Sequence, residues 1–168
     1  MTYQDTTIII PTFNEEKNIA LLIDKIKKLL PKAKIIVTDD GSVDKTQMIA
    51  RKKGTNAVNV LDRTNKPVHG LTVSVMDAIN VCKTPYFVVI DADFQHPPEK
   101  IKDIVGMLRT GADIVVGNRI KVNKDLYVSR KIISKTAYFL GCLRLMFKPF
   151  PKYDLVSGFF GGRPELAK

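Results

Sequence analysis

The stretch DADFQHPPE, residues 91–99, directly follows the apolar and aromatic run YFVVI at residues 86–90. A short run of this kind, bounded by turn residues, is typical of a buried strand. Two carboxylates stand at its end, and two prolines then open a helix, since proline is tolerated in a first helical turn. The core face of that helix is predicted to comprise Ile101, Ile104, Val105 and Leu108.

Outward from this stretch, predicted strands and helices alternate along the chain. The strands are Thr7–Ile10, Lys34–Thr38, Ala57–Leu61, Tyr86–Ile90 and Asp113–Gly117. The helices are Glu15–Leu30, Asp44–Lys53, Leu71–Cys82 and the one that begins at Pro97–Pro98. This alternation predicts βαβ units in an α/β fold with a mainly parallel sheet and flanking helices. A chain of 168 residues suffices for one such domain, residues 1–168.

Polar clusters follow four of the predicted strands. They are Asn14–Glu15, Asp39–Asp40, Asp91–Asp93 and Asn118–Arg119. Open α/β sheets bind ligands beyond the carboxyl ends of their strands. We therefore expect the four clusters to line one crevice.

Asp91 and Asp93 have the spacing of a hard-metal site. Two strand-end carboxylates can bind one Mg²⁺ or Mn²⁺ ion, with phosphates completing the coordination shell, and Gln95 could add a neutral oxygen. Two solvated turn carboxylates, one of them capping the next helix, would give the same pattern. We interpret His96 as a surface or supporting residue, because hard cations prefer oxygen ligands.

Two further acidic positions have two interpretations each. Asp39 and Asp40 fit a turn followed by a helix cap at Asp44, or one of them accepts hydrogen bonds from the base or ribose of a nucleotide. Glu15 either favours a helix N-terminus or reaches the nucleotide.

Positive charge is concentrated in the last third of the chain. The net charge is +10, and residues 119–168 contain 11 of the 27 Lys and Arg residues but 3 of the 17 Asp and Glu residues. Polyanions, anionic lipids and phosphorylated small molecules are possible partners of such a segment. Residues 127–147 mix basic and apolar side chains, as a membrane-interface helix does. An ordinary core helix with a solvated face is the alternative.

Other features favour a cytoplasmic location. No run reaches the roughly 18 apolar residues of a membrane span, and the N-terminus does not resemble a signal peptide. Cys82 and Cys142 have neither a disulfide framework nor a metal spacing, which indicates small apolar side chains in a reducing compartment.

Six motifs occur in order along the chain. They are PTFNEEKN (11–18), VTDDGSVDKT (37–46), DADFQHPPE (91–99), GNR (117–119), SRKIISKTA (129–137) and DLVSGFF (154–160). Together they resemble the family 2 glycosyltransferases, most of all dolichyl-phosphate mannose synthases and other polyprenyl-phosphate glycosyltransferases. The resemblance extends from about Thr7 to the last residue. It implies a Rossmann-like GT-A fold and metal-dependent, inverting transfer of a hexose to a polyprenyl or dolichyl phosphate.

The resemblance also implies a role for individual residues. Those around the nucleotide are Pro11, Phe13, Glu15, Thr38, Asp40, Asp91 and Ala92. The metal ligands are Asp91, Asp93 and Gln95, with Mg²⁺ or Mn²⁺ as cofactor. The catalytic set is Asp93, Arg119 and Arg130, and the acceptor and phosphate contacts are Arg130, Ser157, Gly158 and Arg163. A protein base is not needed, because a lipid phosphate is already anionic near neutral pH.

The implied partners are a nucleotide sugar, the lipid phosphate and an anionic membrane surface at its cytoplasmic face, contacted by residues 119–168; no nucleic acid is expected. GDP-mannose is the favoured donor and UDP-glucose the alternative. Gly70-Leu71-Thr72 stands where relatives have Gly-Leu-Gly, which bears on donor identity. Phe13 replaces a usual Tyr, and Leu155 a common Pro. Because family members continue past the last motif, we expect a C-terminally truncated chain whose natural form has further membrane-associated helices.

Three other functions fit the sequence less well. A sugar-nucleotide pyrophosphorylase would have a glycine-rich loop after the first strand, and PTFNEE contains no glycine. A processive polysaccharide synthase uses a Trp-containing motif, and this chain has no Trp. A basic module that binds nucleic acid or acidic membranes would leave the acidic crevice unexplained.

Overall fold

The computed structural model describes residues 2–54, 57–117 and 158–166. The strands are β1 (Thr6–Thr12), β2 (Lys34–Asp39), β3 (Val58–Asp62), β4 (Tyr86–Val89), β5 (Ile114–Val116) and β6 (Phe160–Gly162). The helices are α1 (Ile19–Leu29), α2 (Thr46–Lys52), α3 (Leu71–Val81) and α4 (Ile101–Arg109), with short 3-10 helices at Pro98–Lys100 and Pro164–Leu166.

The strands form one sheet in the order β3–β2–β1–β4–β6–β5. The neighbouring pairs β3–β2, β2–β1 and β1–β4 are parallel, whereas β6 is antiparallel to β4. This arrangement confirms the predicted α/β class with a mainly parallel sheet. The chain runs outward from β1 to β3 and then returns to place β4 on the other side of β1. The carboxyl ends of β1 and β4 therefore flank a topological switch point, the usual ligand-binding position of such sheets.

The core lies on both faces of the sheet because strand side chains alternate in direction. Ile8 and Ile10 of β1 belong to the cluster that includes the buried residues of α1 and α4. Ile9 belongs to a second cluster, with Val75 and Ile79 of α3. All seven residues of β1 are buried, so the central strand has apolar cover on both sides.

Two features of the fold differ from the sequence prediction. α1 begins at Ile19 rather than Glu15, because the amides of Asn18 and Ile19 both donate to the Glu15 carbonyl in a turn. β6 was not predicted, since a three-residue Phe-Gly-Gly segment has no strand pattern, and glycine weakens strands. By inserting between β4 and β5, it moves the fifth predicted strand one position outward.

Most of the described residues belong to one compact unit, Met1–Val115 with Gly158–Lys168. Within the described ranges, no helix is long and apolar enough to cross a membrane. Cys82 is buried and free, as expected. The basic segment predicted at residues 127–147 lies outside the described residues.

Candidate active site

The loops that follow β1 and β2 are joined by reciprocal hydrogen bonds. The Asn14 amide donates to Ser42 Oγ (2.8 Å), and the Val43 amide donates to Asn14 Oδ1 (3.0 Å). The Glu16 amide donates to Asp44 Oδ2, while the Lys45 amide donates to Glu16 Oε2, each at 3.1 Å. We call the carboxyl edge of the sheet at β1, β2 and β4 the crevice. Hydrogen bonds within the protein therefore fix its rim at β1 and β2.

Asp39 organises this rim from inside. The residue is fully buried, and its Oδ2 accepts from Thr12 Oγ1 (2.9 Å) and Ser42 Oγ (2.6 Å). Its Oδ1 accepts from the Ser42 amide (2.8 Å) and from Gln47 Nε2 (2.9 Å). Four donors match the roughly four acceptor sites of an ionised carboxylate. Of the two acidic residues Asp39 and Asp40, Asp39 is therefore the one that stabilises the turn.

Asp40 lies at the edge of the crevice, with its side chain 13% exposed. Its Oδ1 forms an ion pair with Arg63 and lies 3.1 Å from His69 Nδ1, and its Oδ2 accepts from the Gly70 amide at 2.6 Å. Burial raises the pKa of Asp40, but the Gly70 and His69 hydrogen bonds and the Arg63 charge outweigh it, so the pKa lies below the ordinary 3.8. Asp40 is therefore an ionised acceptor at neutral pH.

The other residues predicted near the nucleotide differ in accessibility. Phe13 follows β1 with 60% of its surface exposed, so its ring is available for stacking. Pro11 and Thr38 pair in register between β1 and β2 and are buried, and Thr38 Oγ1 has no hydrogen-bond partner among the described atoms. The half-buried Glu15 accepts from Asn18 Nδ2 (2.8 Å), a contact within the turn that precedes α1.

The Asp-x-Asp segment forms an open turn after β4. Asp91 is half-buried, Ala92 is buried, and Asp93 and Gln95 are exposed. Asp93 Oδ1 accepts a hydrogen bond from the Gln95 amide at 3.0 Å. Phe94 has a φ of 58°, which is unusual for a bulky residue. Such backbone conformations are frequent at functional sites.

The segment that leads into β6 packs on this turn. A Cβ at Gly158 would lie 2.9 Å from Asp91 Cγ and Oδ1, so any side chain there would collide with the carboxylate. The Phe159 ring stacks on His96 with a centroid separation of 5.1 Å and an interplanar angle of 24°. Of the two interpretations of His96, as a surface or as a supporting residue, burial of its side chain contradicts the first and agrees with the second. The structure thus brings Gly158 and Phe159, from the end of the DLVSGFF motif, into contact with the DADFQHPPE motif.

The donor set of the turn fits a divalent cation that binds together with a diphosphate. Among the residues that the structure describes, His, Cys, Asp and Glu form no group of three that could hold a metal. Mg²⁺ commonly binds through one or two carboxylates plus substrate phosphates and waters. Asp91 and Asp93, with the neutral Gln95, offer that incomplete set.

Arg163 lies away from the crevice. Gly162 pairs with Phe87 in the antiparallel β4–β6 ladder, so Arg163 follows β6 toward the amino end of β4. At about 3.3 Å per residue, it is about 16 Å along the strand from Asp91. Its Nε is 4.0 Å from Asp113 Oδ1. Arg163 is therefore distant from the Asp91–Asp93 turn, and its predicted contact with a phosphate stays a prediction.

Three of the predicted site residues have no described position, and one residue near the site was not predicted. Arg119, Arg130 and Ser157 lie outside the described residues, and their roles stay predictions. Arg63, which contacts Asp40, was missed. An arginine after a strand carries no signal of its own, and only the structure shows that this one is buried.

The sheet order, its switch point and the carboxylates at the strand ends define the chain as a Rossmann-like α/β protein suited to nucleotides. Residues 7–168 match glycosyl transferase family 2. The chain belongs to this family.

The curated proteins that the chain resembles include two dolichol-phosphate mannosyltransferases. The chain is 36% identical to a dolichol-phosphate mannosyltransferase of Pyrococcus furiosus, over 96% of this chain and 47% of the relative. It is 32% identical to a dolichol-phosphate mannosyltransferase of Saccharomyces cerevisiae, over 92% of this chain and 59% of the relative. The chain thus spans about half the length of the curated relatives that it matches.

Solved structures show the same GT-A fold. One is glucosyl-3-phosphoglycerate synthase from Mycobacterium tuberculosis in complex with Mn²⁺, UDP-glucose and glycerol 3-phosphate, with a TM-score of 0.66 and 26% identity. The match covers 96% of this chain and 57% of that chain.

Proposed function

We propose that the protein is a metal-dependent, inverting glycosyltransferase that moves a hexose from a nucleoside diphosphate sugar to a polyprenyl or dolichyl phosphate. The observation that carries this proposal is the Asp91–Asp93 turn at the carboxyl end of β4, beside the switch point and in contact with Gly158. This contact supports the proposal, because it joins residues of the motif to which we assign donor binding with residues of the motif to which we assign acceptor binding. Relatives named dolichol-phosphate mannosyltransferase support the acceptor class.

The donor would bind along the carboxyl edge of the sheet. Asp91, Asp93 and Gln95 would hold Mg²⁺ or Mn²⁺, which neutralises charge on the diphosphate leaving group. Phe13 offers its exposed ring to the base or ribose, and Asp40 offers an ionised acceptor.

The transfer itself needs positioning rather than proton removal. An oxygen of the acceptor phosphate attacks the anomeric carbon opposite the leaving group, and a new carbon–oxygen bond forms with inversion. The bond to the diphosphate breaks, and the nucleoside diphosphate leaves with the electron pair. The acceptor oxygen is already anionic, so no general base is required. Arg119 and Arg130 are proposed to hold the phosphates, since guanidinium groups bind them bidentately.

Two donors are supported by different findings. GDP-mannose is favoured by the mannosyltransferase relatives, and UDP-glucose by the solved structure that contains it. The test incubates the protein with a short polyprenyl phosphate, Mg²⁺ or Mn²⁺, and each donor, and measures the sugar lipid. We expect mannosyl lipid from GDP-mannose. Nucleotide binding without sugar lipid from either donor would contradict the transfer, and no metal-dependent nucleotide binding would contradict the whole proposal.

The basic segment 119–168 is proposed to contact the anionic membrane surface that holds the acceptor. Replacing Lys131, Lys135 and Arg144 by Ala should weaken binding to vesicles that contain anionic lipid, because each basic side chain near such a surface contributes about 1 kcal/mol. Sedimentation with anionic and with neutral vesicles measures the difference. If the unmodified protein does not sediment with anionic vesicles, the proposed membrane contact is refuted.

A further inference from the structure

Arg63 is a buried charge beside the crevice. It follows β3 directly, and its side chain is 4% exposed. Arginine is almost never fully buried unless its charge is paired. The position of Arg63 therefore depends on what its guanidinium group contacts.

The guanidinium group of Arg63 joins three parts of the fold. Its Nε donates to Asp77 Oδ2 (2.9 Å) and its Nη1 donates to Ser74 Oγ (3.0 Å), both on α3. Nη1 also pairs with Asp40 at the end of β2, and Nη2 donates to the Val68 carbonyl (2.9 Å). A planar fork with fixed donor directions suits this arrangement, and a lysine ammonium could not reproduce it.

The loop held through Val68 returns to the same carboxylate. The Gly70 amide donates to Asp40 Oδ2, and His69 Nδ1 lies beside Oδ1. Arg63 thus contacts Asp40 directly and also fixes the turn that supplies its other two partners. Gly70 has a φ of 128°, which L side chains rarely adopt, so the turn has a specific backbone shape.

We propose that Arg63 is the positioning residue of the nucleoside side of the crevice, fixing Asp40 and the 68–70 turn in the arrangement that binds the donor's nucleoside. This inference rests on the proposed function. An ionised carboxylate has about four acceptor sites, and the described contacts of Asp40 occupy three of them. One acceptor site on Oδ2 is left for an N–H or O–H group of the nucleoside.

A second arginine pair provides a matched control. Arg109 at the end of α4 forms a bidentate pair with Asp5, Nε to Oδ2 at 2.9 Å and Nη2 to Oδ1 at 2.7 Å. Asp5 precedes β1, at the opposite end of that strand from Phe13. Loss of this pair removes an arginine–aspartate contact without altering the crevice.

The experiment compares Arg63→Lys, Arg63→Met and Arg109→Met in Mn²⁺. Each protein is titrated calorimetrically with UDP, GDP and inorganic diphosphate. Both Arg63 variants should bind the better nucleotide at least about tenfold more weakly, the equivalent of one hydrogen bond to a charged group. Their affinity for inorganic diphosphate should stay that of the wild type, because the Asp91–Asp93 turn is untouched. Arg109→Met should change neither affinity.

Hydrogen exchange of the Gly70 amide gives a readout without ligand. Arg63→Met should expose this amide and Arg109→Met should not; if Arg63→Met does not fold, Arg63→Lys decides. Unchanged nucleotide affinity, equal loss of diphosphate affinity or an unchanged Gly70 amide would each overturn the positioning role while leaving the proposed function intact. A wild-type protein that binds diphosphate but shows no gain from a nucleoside would overturn it as well. A wild-type protein that binds none of the three ligands would overturn both.

Discussion

Asp40 and Asp93 both follow strands of one parallel sheet, yet their surroundings differ. Asp40 is contacted by Arg63, His69 and Gly70, whereas Asp93 is exposed and accepts a hydrogen bond from the amide of its own turn. The proposed nucleoside side of the crevice, which comprises Asp40, Arg63 and the 68–70 turn, is thus organised by hydrogen bonds within the protein. The proposed metal side, which is the Asp91–Asp93 turn, exposes the Asp93 carboxylate. A rigid acceptor suits the recognition of a base or ribose, and an incompletely bonded carboxylate suits a cation.

The two sides also depend on different parts of the chain. The nucleoside side is assembled from loops within residues 12–77, through contacts such as those of Asp39 and Arg63. The metal side is completed by Gly158 and Phe159, which come from the far end of the chain. Mutations on the first side should therefore affect stability as well as nucleoside binding, whereas mutations on the second side should affect ligand binding with little change in stability.

The largest effect on stability is expected from Asp39→Ala. Removal of this buried carboxylate takes one acceptor from Thr12 and Gln47 and the acceptor of both the amide and the hydroxyl of Ser42, and should lower the free energy of unfolding by about 3 kcal/mol or more. Urea denaturation followed by circular dichroism measures it. Asp24→Ala, which breaks an exposed pair with Lys53, should cost less than about 1 kcal/mol. Equal losses of unfolding free energy in the two variants would show that the buried Asp39 carboxylate contributes no more than an exposed ion pair.

Asp93→Ala should weaken ligand binding and leave stability nearly unchanged, in contrast to Asp39→Ala. Loss of one of two ligand carboxylates should weaken Mn²⁺-dependent nucleotide binding by on the order of 100-fold, whereas the melting temperature should change little, because Asp93 is exposed. Calorimetry with and without Mn²⁺ checks this prediction. Asp103→Ala removes another exposed carboxylate, on α4, and should leave binding unchanged. Wild-type affinity in Asp93→Ala would remove Asp93 from the metal site.

Gly158→Ala should weaken the metal side from the far end of the chain. The added methyl group would collide with the Asp91 carboxylate and displace it, which should cost about tenfold in Mn²⁺-dependent nucleotide affinity. Gly106→Ala on α4 is the matched control, because a Cβ there meets no atom within 4 Å. In a helix this control should gain about 0.5–1 kcal/mol of stability. Equal nucleotide affinity in the two variants would show that Asp91 does not need this close contact.

The smallest effect concerns the pH dependence of the nucleoside side. Because the folded-state pKa of Asp40 is below 3.8, its ionised form stabilises the fold above that pH, and this contribution is lost as pH falls through the lower folded-state pKa. The stability difference between wild type and Asp40→Asn should therefore shrink below about pH 4. Denaturation curves at several pH values test this. For Gly106→Ala, the difference from wild type should not vary with pH. A constant difference for Asp40→Asn down to pH 2 would contradict the pairing.

Several structural elements followed from local sequence alone. The apolar residues of β1 and the helical spacing of Ile19, Leu22, Ile23 and Ile26 predicted buried elements, and all of these side chains are buried. The order of strands and polar clusters also predicted that Asp40 and Asp91 follow strands of one sheet, because parallel strands place their carboxyl ends at the same edge. The helix that begins after Pro97 was predicted from the same kind of pattern.

Other properties of the site depended on residues distant in sequence. Asp39 and Asp40 are adjacent and chemically identical, and only the packed fold directs one side chain to Thr12 and the other to Arg63. Burial of His96 required the Phe159 ring, and the position of Arg163 required the antiparallel β6, which a Phe-Gly-Gly segment does not indicate.

The sequence by itself determined which segments become strands and helices, and that carboxylates stand at the strand ends, since hydrophobic periodicity and turn residues act over a few neighbouring positions. The tertiary structure alone decided which carboxylate is buried, which is held by Arg63, and which lies beside Gly158. Burial and hydrogen bonding are properties of contacts between segments, and such contacts exist only after the sheet has formed.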